Sequence, residues 1–130
     1  MAKKVKKKET QVNNDASNEK LCAILSYLLI GIIWYFADDK MRQSSFVKYH
    51  AKQGIVLILA EVLYSLVLSI LFSILFIPLM FGGFLFGIMQ IYRILQIIPL
   101  IFVIVGIVNA ANGKEKELPL IGKYAEKLTF

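Results

Sequence analysis

Between Gly54 and Asn112 the chain carries two charged residues, Glu61 and Arg93. A run this long and apolar would need a larger core to bury it than so short a chain can build, whereas a bilayer with a hydrocarbon core of about 30 Å accepts helices of about 20 apolar residues. Composition agrees, with 58% of the 130 residues hydrophobic against roughly 45 to 50% in a soluble domain. Lysine and arginine exceed the acids, for a net charge of +6, and these charges flank the apolar run. One small domain leaves no room for a membrane anchor plus a separate catalytic unit, so function belongs to the embedded part or its short tails.

Residues 1–20 hold Lys3, Lys4, Lys6, Lys7, Lys8 and Lys20 with few large apolar side chains, which predicts a disordered basic arm. Its polar length, and Trp34-Tyr35-Phe36 after the first apolar segment, do not fit a cleaved signal peptide, so that segment is expected to remain in the mature protein. Apolar segments at about 21–37, 53–77, 79–96 and 98–112 predict an all-α, polytopic transmembrane helical bundle of four spans, with a short amphipathic segment at about 42–52. Residues 21–127 form this single membrane-embedded domain, and 128–130 are a tail. Trp34 and Tyr35 suit an interfacial belt. Pro78 is the expected stop of the second helix, and Pro99 divides a stretch of roughly 33 residues that as one helix would measure about 50 Å.

Orientation follows the excess of positive charge on the cytoplasmic side. Four spans with both tails inside place ten lysines and arginines inside and four in the first loop outside. Three spans invert the rule. A first segment that folds as a re-entrant hairpin gathers fourteen of the fifteen on one side. Charge therefore favours both termini in the cytoplasm and leaves open whether the first segment crosses.

Inside the apolar run, Glu61 precedes Pro78 by about as many residues as Arg93 follows it, so a hairpin centred on Pro78 pairs them at similar depth. Ser65, Ser69 and Ser73 continue a small polar ridge from Glu61, while Gly83 and Gly87 form a GxxxG on the face of Gln90; Gly106 and Ala110 repeat the small-residue spacing. Two readings follow: an ion pair locking one hairpin, or a polar path lined by Glu61, Gln90, Arg93 and Gln96 in a channel or transporter subunit. His50 is the sole histidine and reads as an interfacial side chain; Cys22 is the sole cysteine. With no metal spacing, nucleophile motif or dinucleotide fingerprint, no catalytic residue, metal or cofactor is expected. The arm is expected to touch anionic lipid rather than nucleic acid.

Two motifs resemble a known family. Phe46-Val47-Lys48-Tyr49-His50-Ala51-Lys52-Gln53-Gly54 is similar to an F-v-x-x-H-a-x-Q-a/g signature, and Asn109-Ala110-Ala111-Asn112-Gly113-Lys114 followed by Leu118-Pro119-Leu120-Ile121-Gly122 is similar to that family's ending. The resemblance is to small prokaryotic multispan membrane proteins related to the twenty-kilodalton component of the chloroplast inner-envelope protein translocon. It implies a helical multispan fold, a structural role for His50, Gln53, Asn109, Gly113, Pro119 and Gly122, and accessory work in protein translocation or membrane assembly. On this reading the protein is not an enzyme. It acts by helix association within the lipid bilayer, as a homo-oligomer or with other membrane proteins.

Overall fold

The computed structural model describes residues 1–80 and 85–130, with the backbone alone for 77–80. Every regular element among them is helical: α1 (Ala2–Leu25), α2 (Ile30–Ala37), α3 (Asp39–Gln43), α4 (Ser45–Met80), α5 (Leu85–Leu95) and α6 (Ile98–Ala111), with 3-10 turns at Ser26–Leu28 and Gly122–Lys127. Two stretches are long and apolar enough to cross a membrane, Ser45–Phe76 and Leu85–Ala111. In the most apolar 18 residues of each, only 17% are buried within the protein, the reverse of a soluble core helix, so these surfaces are built to face lipid.

The fold therefore has two candidate spans where four were expected. Among the described residues the first apolar segment forms no helix long enough for a candidate span. It doubles back at Leu29, whose φ is +69°, and α2, eight residues long, rises only about 12 Å. Small residues allow the reversal: a Cβ on Gly31 would collide with the backbone of Cys22, Leu25 and Ser26, and the Cys22 thiol donates to the Gly31 carbonyl over 3.4 Å. Leu28, Leu29, Ile30 and Ile33 are left at least half exposed at the tip.

Pro78 does not end the second helix, since α4 runs through it to Met80. The amphipathic segment expected at 42–52 is likewise no separate element: α3 takes its start, and the rest is the opening of α4. No proline lies between Ser45 and Pro78, and Val47, His50, Ala51 and Gln53, beside Gly54, are all buried, which holds the helix continuous. Pro99 behaves as expected, because it sits in the first turn of α6, where its missing N–H has no partner to lose.

The core lies at one end of the spans and caps them. Cys22, Tyr35, Met41, Val47 and Ala51 form one cluster with Trp34 packed against it; Ala23, Tyr27, Leu57, Ala110 and Leu118 form another. Tyr35, expected at an interfacial belt, is 4% exposed, because the hairpin folds it inward. Residues 2–20, expected as a disordered arm, form the outer part of α1. They are almost entirely exposed, so the helix there continues the anchored turns around Cys22, with Asp15 and Glu19 reaching Lys40 and Ser44. Phe130, in the predicted tail, packs near Tyr35 and Phe36.

Candidate functional site

The most densely interlocked polar residues sit in this cap, where the hairpin, the first turns of α4 and the segment after α6 meet. His50 faces the hairpin because the buried positions Val47, His50, Ala51 and Gly54 share one side of α4. Its Nδ1 lies 2.8 Å from the Tyr27 hydroxyl, and Phe46, Tyr49 and Tyr27 surround the ring edge-on. The interfacial histidine of the sequence reading is thus fully buried, and its Nε2 makes no hydrogen bond. Burial raises the Tyr27 phenol above its ordinary value, which keeps the hydroxyl neutral, and pushes the Cys22 thiol up to about 11. Neither group is poised as a nucleophile.

Gln53 uses both ends of its carboxamide. Its Nε2 donates to the Gly122 carbonyl and its Oε1 accepts from the Leu118 N–H, each over 3.3 Å. The side chain therefore substitutes for a strand partner and clamps the segment after α6 onto α4. Gly122 makes the approach possible, since a Cβ there would stand 3.0 Å from Gln53 Oε1 and 2.9 Å from the Glu117 Cβ. The segment reaches Gln53 because α6 closes in a Schellman turn: Gly113 has φ +66°, its N–H bonds the Ala110 carbonyl and that of Lys114 the Asn109 carbonyl. The Asn109 amide also reaches the Lys116 carbonyl at 3.5 Å. Pro119 is exposed.

Small residues close the cap. A Cβ on Gly54 would collide with the Ser26 carbonyl, and one on Gly106 with the Tyr27 ring; Ala110 is fully buried. One glycine departs from this pattern: among the described residues no atom lies within 4 Å of where a Cβ on Gly87 would be, so it packs against none of them. Gly83 lies outside the described residues. The hydroxyls of Ser65, Ser69 and Ser73 turn back onto the carbonyls of Val62, Ser65 and Ser69 of their own helix, which makes them a self-satisfied surface rather than a ridge between helices.

The intramembrane pair is not formed. Among the described residues the salt bridges are Lys40 to Asp15 and Arg42 to Asp39. The register of α4 against α5 is set by the Tyr64 hydroxyl donating to the Leu95 carbonyl over 2.9 Å and by Phe72 against Tyr92 at 4.8 Å. Because α4 continues past Pro78, this register brings Ile98 and Pro99 beside Glu61, in a cavity of about 210 Å³, and brings Ser69 and Phe72 beside Arg93. Glu61 and Arg93 stand about 12 Å apart in depth, eight residues of α4 at 1.5 Å each. Gln96 donates to the Tyr92 hydroxyl, and Gln90 is half-buried on α5. Glu61 and Arg93 thus line different cavities.

The structure thus joins His50, Gln53, Asn109 and Gly122 and separates Glu61 from Arg93. The sequence reading missed Tyr27 and the backbone of Leu118. A tyrosine beside a serine in the middle of an apolar segment was the available signal for the first, since a buried phenol needs a partner. Among the described residues no three His, Cys, Asp or Glu side chains form a metal-binding group.

Residues 18–125, which include the whole cap and both spans, match the model of the MamF/MmsF family, the magnetosome magnetite crystal formation protein family. No curated protein and no solved structure matches the chain. The match corrects the translocon kinship that the two motifs suggested: the motif residues that carried it serve here as a helix opening, a Schellman turn and a carboxamide clamp, packing devices that point to architecture rather than to a protein-conducting role. The chain belongs to the magnetosome magnetite crystal formation family.

Proposed function

We propose that this family member is a small integral protein of a magnetosome membrane that takes part in magnetite crystal formation without catalysing a reaction, by presenting its charged cap at one membrane surface and associating through its exposed apolar helices. The observation that carries this reading is the family match over residues 18–125. The rigidity of the cap supports it, because its hairpin and terminal segment are held by buried hydrogen bonds to one helix. Cys22 is buried and cannot report on self-association; cross-linking belongs at exposed positions such as Leu66.

The test is deletion of the gene in a magnetite-forming bacterium, with electron microscopy of the crystals. Deletion is expected to change crystal size or number, and the wild-type gene to restore both. An unchanged crystal population would end the proposal.

The same reading places both termini and the loop at Ser44 on one side of the membrane, the cytoplasmic side by charge. Its support is local: Ser44 donates to Glu19 over 2.9 Å, and Lys40 lies 3.8 Å from Asp15, so the first loop is level with the arm. In a Cys22-free background in sealed vesicles, cysteines at Ser17, Ser44 and Thr129 are expected to react with impermeant maleimide from the same side. Reaction of Ser44 from the opposite side would mean that the first segment crosses.

A further inference from the structure

We propose that the cleft between α4 and α5 binds an anionic phospholipid, with its phosphate on Arg93 and one acyl chain along the cleft. The cleft has a volume of about 820 Å³ and is walled by Ser69, Phe72, Phe76, Ile88 and Met89, with Arg93 at its side. Its surface is apolar apart from that guanidinium, the hydroxyls of Ser69 and Ser73, which are committed to their own helix, and the Tyr92 hydroxyl, which accepts from Gln96. Arg93 stays charged at any physiological pH, and among the described residues no acid pairs with it. A charge at this depth is costly unless an anion or water reaches it.

Geometry selects where the anion comes from. Arg93 lies eight residues beyond Leu85, about 12 Å along α5, and helical side chains lean toward the helix N-terminus. The guanidinium therefore leans toward the Leu85 end, away from the cap, and its aliphatic stem lies along Met89 while the head snorkels toward the headgroups of the leaflet remote from the cap. A phosphate drawn to it leaves an acyl chain against Phe72 and Met89. The other source of negative charge in an apolar setting is Glu61 of a second copy. Copies inserted in the same orientation hold Glu61 about 12 Å from the level of Arg93, so they do not meet.

The experiment uses the full chain with Lys3, Lys4, Lys6, Lys7 and Lys8 changed to Gln, which removes attraction by the arm. Native mass spectrometry in detergent with equal amounts of phosphatidylglycerol and phosphatidylcholine is expected to show about tenfold preference for the anionic lipid, falling to near parity with Arg93→Gln and persisting with Glu61→Gln. Location is read separately. In a Trp34→Phe background, tryptophan at Met89 is expected to be quenched more by brominated phosphatidylglycerol than by brominated phosphatidylcholine, a difference that Arg93→Gln removes. Preference unchanged by Arg93→Gln would overturn the proposal. So would a dimer that Arg93→Gln dissociates with lipid retention unaltered, which would put a second copy in the cleft.

Discussion

Gln53→Ala is expected to detach the C-terminal segment from α4 and to lower stability by about 3 to 5 kcal/mol. The truncation leaves the Leu118 N–H buried without its partner, at about 1 to 3 kcal/mol, removes the side-chain donor to the Gly122 carbonyl, and opens a cavity at a position 1% exposed. The segment carries Lys123 and Lys127, exposed on a 3-10 turn that packs against α4. Thermal unfolding in detergent and the rate of trypsin cleavage at those two lysines measure the effect. Gln53→Glu separates the two halves of the clamp, since a carboxylate still accepts from Leu118 but faces the Gly122 carbonyl with no donor. It is expected to fall between wild type and alanine. A Gln53→Ala protein that melts and digests like wild type would mean that the clamp does not hold the cap.

A pair of glycine substitutions separates the hairpin from the expected four-span bundle. Gly31→Ala is expected to cost about 3 kcal/mol or more, because the new Cβ collides with the backbone of Cys22, Leu25 and Ser26, and backbone cannot swing aside as a flexible side chain can. Gly87→Ala is expected to be harmless or to stabilise by about 0.5 to 1 kcal/mol, since nothing lies within 4 Å and alanine is the better helix former. The GxxxG reading of the sequence anticipates the opposite order, with Gly87 at a helix interface and Gly31 inside a straight span. Melting temperatures of the two variants in one detergent decide between them. A tolerated Gly31→Ala with a destabilising Gly87→Ala would remove the hairpin from the fold.

Several elements were legible because they depend on local chemistry. The apolar run from Gly54 to Asn112 required lipid-facing helices whatever the topology, and Pro99 could begin a helix but not sit in its middle. Gly113 stood out only through the family motif, and the structure gives it a local role, a left-handed cap after α6 with φ +66°. The segments containing His50 and Gln53 and those containing Asn109 and Gly122 stood out as motifs, yet nothing in either indicated that the two ends of the chain meet. The contact between Gln53 and Gly122 spans 69 residues, and a carboxamide that clamps backbone leaves no complementary residue type to recognise.

What the sequence determined by itself is the class of the protein: an all-helical chain, apolar in the middle and basic at its flanks, with all its charges except Glu61 and Arg93 kept out of the apolar run by the cost of burying them. What the tertiary structure alone decided is the path of the first apolar segment and the fate of Glu61 and Arg93. A segment near the minimum length for a span can cross or double back, and the choice fell to a close approach of Gly31 to the backbone of α1. The separation of the two charges followed from helical register, because α4 passes through Pro78 to Met80. Both outcomes turn on shifts of a few residues, which change every lateral contact in a helical hairpin while leaving its hydropathy unchanged.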